Sequence, residues 1–121
     1  MTINFEMTER YYSSEKSEPC SCEGCRNYIR QIAAEYPDIS EYLSKMKVDI
    51  LRPFELIYIE LGDIVEYQCQ YVVFGECEDD FSEILDGIKL VKCSSHPSTD
   101  IDEEHFVLEF GTVVLKKFVD F

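Results

Sequence analysis

The stretch from residue 54 to residue 74 constrains this chain most. Leu56 to Leu61 is rich in β-formers, Gly62-Asp63 can close a tight two-residue turn, and Ile64 to Phe74 continues with Val65, Tyr67, Cys69, Tyr71 and Val73 on one face. That period of two predicts a β-hairpin with one apolar face, ended by Gly75. A sheet with such a face is stable when another layer covers it.

The segments that can supply the cover lie upstream. From Cys25 onward, Ile29, Ile32, Ala33 and Tyr36 are spaced to form one helical face, and Pro37 should stop that helix by disfavouring α geometry at the preceding residue. Asp38 can then cap a second helix, with Glu41 in the capping-box position and Ile39, Tyr42, Leu43 and Met46 as its apolar stripe. Ahead of both, Ile3, Phe5 and Met7 alternate with Asn4, Glu6 and Thr8, which predicts a short first strand. Tyr11 to Pro19, with Ser13, Ser14 and Ser17 among charges, reads as a loop.

Downstream of Gly75, the carboxylates of Glu76, Glu78, Asp79, Asp80 and Glu83 read as an acidic connection. Ile88 to Lys92 is a candidate strand, and Ser94 to Ser98 has the composition of a loop, followed by the acidic run Asp100 to Glu104. Phe106, Leu108 and Phe110 alternate with Val107 and Glu109, Gly111-Thr112 allows a turn, and Val113 to Val119 supplies a last strand. The expected fold class is α+β, a mainly antiparallel sheet of about five or six strands with two short helices on one face. At 121 residues the chain has length for one hydrophobic core, so residues 1–121 are expected to form one domain.

Charge narrows the functional classes. With 25 acidic against 11 basic residues the formal net charge is −14, which repels phosphate backbones and excludes an electrostatically driven nucleic-acid binder. Such a surface suits a basic protein partner, and it also serves solubility. The N-terminal MTINFEMTERYY has neither a basic n-region nor a long apolar h-region, and no run approaches the roughly 18 apolar residues of a membrane span. A cytoplasmic location is expected, where six cysteines are more readily reduced, metal-bound or catalytic than paired.

Three of those cysteines, Cys20, Cys22 and Cys25, stand in a C-x-C-x-x-C arrangement at the expected start of the first helix. Three readings stay open. The thiolates can converge on a soft metal such as zinc, with Cys93 and His96 as the candidates that would complete a four-ligand set. Cys22 and Cys25 can instead form a thiol pair activated by helix-start amides and Arg26, although no βαβ pattern surrounds them. Finally, Cys22, Cys25 and Ile29 fall at i, i+3 and i+7, so the cysteines can be small core residues. Cys69 lies in the apolar pattern of a strand and reads as core, while the pattern assigns no role to Cys77.

A second constellation, SSHPSTDIDEEH, spans Ser94 to His105. His96 or His105 as a base oriented by Asp100 or Asp102 would be the hydrolase reading; a polar turn held by Ser and Asp side chains is the plain one. Asp100, Asp102 and Glu104 could also present oxygen ligands to a hard cation, without the glycine or terminal glutamate of an EF-hand loop.

The segments CSCEGCRNYI, RPFEL, QYVVFG, SSHPST and HFVLEFG, in that order over roughly residues 20 to 110, resemble a group of small bacterial proteins of unknown function. In that group a C-x-C-x-x-C cluster runs into Arg-Asn-aromatic and is followed by a mostly β remainder. The resemblance implies no activity and directs attention to the cysteine cluster and the SHPS loop. The leading functional expectation is a non-enzymatic acidic module that binds a protein partner, with a charge that suits a basic one. The competing expectation is a small thiol- or zinc-dependent enzyme using Cys20, Cys22 and Cys25 with His96.

Overall fold

A computed structural model describes residues 1–118. Its elements are β1 (Thr2–Ile3), α1 (Phe5–Tyr12), a 3₁₀ turn (Glu15–Ser17), α2 (Glu23–Glu35), α3 (Pro37–Lys45), β2 (Glu55–Leu61), β3 (Ile64–Glu76), β4 (Ser82–Leu85), β5 (Ile88–Lys92) and β6 (His105–Lys116). The fold is α+β, with every strand pairing antiparallel, as the sequence predicts. The strand order is β1-β3-β6-β5-β4, with β2 also on β3. Among the described residues no helix is long and apolar enough to cross a membrane.

The predicted hairpin is the spine of the sheet. Leu61 faces Ile64 across the Gly62-Asp63 turn, and the register runs back to Glu55 opposite Gln70. Val65, Tyr67, Cys69, Tyr71 and Val73 are fully buried, and the helices cover them through Tyr28 and Ile32 of α2 and Ile39 and Leu43 of α3. Each such aliphatic or aromatic side chain removed from water contributes on the order of 1.5–3 kcal/mol. Pro37 occupies the first turn of α3, so α2 ends at Glu35 and the two helices meet at Tyr36.

Four expectations are corrected. The segment predicted as a first strand pairs only at Thr2 and Ile3 and then turns into α1. Asn4 caps it by accepting from the Met7 amide at 3.1 Å, and Glu6 and Arg10 form an i, i+4 ion pair at 2.8 Å. The part of 11–19 read as loop accordingly begins with the end of α1 and contains the 3₁₀ turn. The buried residues of α1 are Thr8 and Tyr12, and their polar atoms complete the edge of β3 between β2 and β1. Thr8 Oγ1 accepts from the Phe74 amide at 3.1 Å, and the Tyr12 hydroxyl donates to the Val72 carbonyl at 2.7 Å. Edge backbone groups left dry would cost free energy, so α1 is held by the sheet it finishes.

Second, the acidic connection contains a strand. Ser82–Leu85 pairs with β5 around Asp86-Gly87, both at positive φ (54° and 74°), the geometry of a two-residue hairpin turn. Third, α3 is not capped by Asp38: it starts two residues earlier, at Pro37, no side chain of its own caps it, and the Asp86 carboxylate accepts from the Ile39 amide at 2.9 Å. Asp86→Gly keeps the turn geometry and deletes that cap, so it should lower stability by about 1 kcal/mol in thermal denaturation.

Fourth, Gly111-Thr112 is not a turn between strands. β6 runs straight through it, with the register shifting between Tyr67 opposite Val113 and Cys69 opposite Phe110, so that Gly111 and Thr112 together face Gln68. This is a β-bulge, one extra residue accommodated inside a continuous strand. Of the predicted last strand, Val113 to Lys116 lies in β6 and Val119 falls outside the described residues.

The two faces of the sheet differ. Val72, Phe74, Cys93 and Val107 form a smaller cluster on the face away from α2 and α3, covered by Met7, Tyr11, Phe54 and Ile101. Beyond that cover the same face stays open, and β2 leaves Ile57, Ile59 and Leu61 in solvent.

Candidate metal and thiol site

Cys22 is the residue at which α2 begins. Its backbone is extended (φ −67°, ψ 165°), and its sulfur accepts from the Cys25 amide at 3.4 Å, the part a serine or aspartate oxygen plays at other helix starts. One step upstream, the Cys22 amide donates to the Cys20 sulfur, also at 3.4 Å. The two short spacings thus fold the chain around its own sulfurs, and the Sγ atoms of Cys20, Cys22 and Cys25 all lie within 4.8 Å of one another. Cys20 and Cys22 are exposed; Cys25 is buried.

Gly24 and Tyr58 complete the surroundings. A Cβ on Gly24 would sit 2.0 Å from Tyr58 Cζ, so only glycine lets the ring lie across the helix start. That places the Tyr58 hydroxyl 3.7 Å from the Cys22 sulfur. From beneath, the Tyr67 hydroxyl donates to the Gly24 carbonyl at 2.7 Å and Asn27 donates to Tyr67 at 3.1 Å. The first turn of α2 is therefore pinned to β3.

The sulfurs are electrostatically unequal. Partial desolvation pushes the Cys22 thiol up, but hydrogen bonds from the Cys25 amide and from the groups of Cys25, Cys20 and Tyr58 outweigh it and bring the pKa down to about 7. Burial raises Cys25, and its hydrogen bond to Cys22 reinforces the rise. Of the two sulfurs, Cys22 is the one that gives up its proton first, while Cys25 keeps its own. Metal-free, reduced protein should alkylate at Cys22 with a rate that climbs as pH rises through about 7. Peptide mapping after iodoacetamide pulses at several pH values checks this.

Cys93 and His96 do not join the cluster. Cys93 is buried on the opposite face of the sheet with Val72, Phe74 and Val107, where it receives a hydrogen bond from Gln70 Nε2 at 3.5 Å. His96 is exposed, its Nδ1 2.8 Å from the Pro97 carbonyl and its ring edge-on to Phe54. The separation follows from strand alternation: Gln70, Val72 and Phe74 point away from the face of Tyr67 and Tyr71. Among the described residues Cys93 and His96 are not gathered with the cluster into one ligand set. Gln70 Oε1, beside Cys93, is buried without a hydrogen-bond partner among the described residues.

The Ser94 to His105 segment forms the polar turn of the plain reading. Ser98 Oγ bonds Asp100 Oδ1 at 3.1 Å, and the His105 ring is held by Thr99 Oγ1 and the Glu103 carbonyl, both at 2.7 Å. Neither histidine is oriented by Asp100 or Asp102. Among the described residues the cysteine trio is the group of three or more His, Cys, Asp or Glu ligand atoms gathered closely enough for one metal ion, and Asp100, Asp102 and Glu104 are not. Cys69 is core, as expected, with its thiol pushed up to about 12 by burial.

Sequence reasoning missed the open aliphatic stripe. Ile57 (55% exposed), Ile59 (60%) and Leu61 (47%) stand on edge strand β2. Val114 (42%) adds to them from β6, across Glu66 of β3, which pairs with both Ile59 and Val114. The alternation Leu56, Tyr58, Glu60 against Ile57, Ile59, Leu61 was the available signal: both faces of that strand are apolar, and only one is covered.

No protein-family model, no curated protein and no solved structure matches the chain.

Proposed function

We propose that this chain is a non-enzymatic, cytoplasmic protein-binding module that takes a basic, amphipathic β-segment of a partner along its β2 edge. The observation that carries the reading is the row of Ile57, Ile59 and Leu61 in solvent on edge strand β2, with Val114 beyond Glu66 on the same face. Isolated apolar residues on a surface need no explanation; a row of them on an unpaired edge strand does. Soluble proteins blunt such edges with charges, lysine above all, with proline or with a bulge; β2, ELIYIEL, has glutamates at 55 and 60 and no lysine, proline or bulge.

Charge selects the partner. The stripe is bordered on its own face by Glu55 and Glu66, while Glu60 points to the other face and pairs with Lys117 at 3.2 Å; on a chain of net charge −14, a segment of aliphatic and Lys or Arg residues would meet both aliphatics and carboxylates. The same net charge opposes pairing of two copies through this edge. Six unpaired cysteines suit a reducing compartment.

The test uses two synthetic peptides, alternating Val with Lys and Val with Glu, titrated against the full chain and against Ile57→Lys and Ile59→Lys. The reading expects binding of the Lys peptide, weakened by added salt and lost in both variants. Equal binding of both peptides, no binding of either, or binding unchanged by the substitutions overturns it. A concentration-dependent dimer that Ile59→Lys abolishes would assign the edge to a second copy instead and overturn it equally.

A further inference from the structure

The cysteine cluster meets β2 at Tyr58, on the opposite face from Ile57, Ile59 and Leu61, and supports an assignment of its own. We infer that Cys20, Cys22 and Cys25 form a three-thiolate site for Zn2+ whose fourth coordination position is open to solvent.

The geometry is close to that of the loaded state. Zinc binds thiolate at about 2.3 Å, so sulfurs at the corners of one tetrahedral ion stand about 3.8 Å apart. The three sulfurs already lie within 4.8 Å of each other, so the metal demands movements below about 1 Å. Cys20 and Cys22 are exposed and provide the entry path, while Cys25 is buried at the base of the site. Two backbone amides, of Cys22 and Cys25, donate to the Cys20 and Cys22 sulfurs. They aim positive dipole density at a centre that would carry a net charge of −1 with three thiolates on a divalent ion. The first turn of α2 adds its dipole in the same sense. Loading puts one Zn2+ on three thiolates, releasing to solvent whatever protons the three sulfurs still hold, and moves no electrons.

The fourth position is open because of where the other candidates lie. Cys93 and His96 belong to the far side of the sheet, and among the described residues no fourth His, Cys, Asp or Glu joins the trio. Zinc sites closed by four protein ligands are structural, whereas three ligands leave one place for water, a small ligand or a donor from a partner. This site therefore holds an exchangeable ligand, and its contribution to folding is secondary.

Titration of the reduced, full-length protein with Co2+ and then Zn2+ decides the matter. One equivalent of Co2+ should give thiolate charge-transfer absorption with tetrahedral d–d bands, and Zn2+ should displace it. Imidazole added to the Co2+ form should shift the d–d bands, since the fourth ligand exchanges. Loss of supporting partners around a metal costs about 10–100-fold in affinity, so Cys20→Ser and Cys22→Ser should each cost about a hundredfold or more, with Cys77→Ser unchanged. Both test positions are exposed, and serine at position 22 still caps α2, so these variants fold. No stoichiometric metal, or binding that survives both serine variants, overturns the assignment. Bands indifferent to imidazole together with loss of binding in Cys93→Ser would show a closed four-ligand site and overturn it too.

Discussion

Tyr71→Ala should destabilise the protein by about 3–5 kcal/mol, the range for truncating a buried aromatic. The ring is fully buried and stacks on Phe110 with centroids 5.5 Å apart and planes 5° from parallel. Its hydroxyl donates to the Ile50 carbonyl at 2.6 Å, which leaves the Tyr28 hydroxyl, also 2.6 Å away, as the donor between the two tyrosines. That chain of bonds ties α2, the segment after α3 and the centre of β3 into one unit. Tyr71→Phe keeps the ring and orphans the Ile50 carbonyl and the Tyr28 proton, so it should cost about 1–3 kcal/mol. Urea denaturation of both variants, with the m-value unchanged, separates packing from hydrogen bonding. Equal losses would mean that the ring contributes nothing beyond its hydroxyl.

The same residue shows what was legible in the sequence. Tyr71 was placed on the covered face by alternation alone, together with Val65, Tyr67, Cys69 and Val73, and all five are fully buried. The helical stripes of Ile32, Ile39 and Leu43 were equally readable, because apolar burial repeats with the period of the element. Of the predicted stripe only Ile32 is buried, Ile29 and Tyr36 are partly covered and Ala33 is exposed, because α2 turns the face of Gly24, Cys25, Asn27, Tyr28 and Ile32 inward. Elements held by polar atoms escaped. Helix α1 faces the sheet through the hydroxyls of Thr8 and Tyr12, while Phe5, which suggested a strand, is half exposed. Strand β4 escaped because its edge position lets Ser82 and Glu83 face solvent, which makes it resemble the acidic run before it.

The cysteine site was half legible for a related reason. Local spacing determined that Cys20, Cys22 and Cys25 meet, since amides within the motif fold it. Whether Cys93 could reach them depended on which face of the sheet it occupied, a matter of long-range register that spacing does not encode. Of the two cysteines in the core reading, Cys25 is buried and Cys22 is exposed.

What holds that site in place is a buried amide, and Asn27→Asp should cost more stability than serine at Cys20 or Cys22, which leaves the fold intact. Asn27 is nearly inaccessible, donates to Tyr67 at 3.1 Å and to the Lys116 carbonyl at 3.0 Å, and accepts from the Phe118 amide at 3.3 Å. A carboxylate of the same shape cannot donate, so it would face the Lys116 carbonyl as a buried charge without a cation. The expected loss is about 3 kcal/mol or more at pH 7, against about 1–3 kcal/mol for Asn27→Ala, which introduces no charge. The sign with pH follows from burial, which raises the new carboxyl in the folded state above its unfolded value of about 4. The penalty is absent below the unfolded value and grows as pH rises above it, so the two variants should converge in acid and diverge toward neutrality. Because Tyr67 carries the restraint on to the Gly24 carbonyl, both variants should also loosen the first turn of α2. Cys22 would then lose the Cys25 amide that supports its thiolate, and its alkylation profile should move up from about 7 toward that of an ordinary cysteine. A variant that loses stability yet keeps that profile would show that the cluster is organised by its own loop and not by the sheet beneath it.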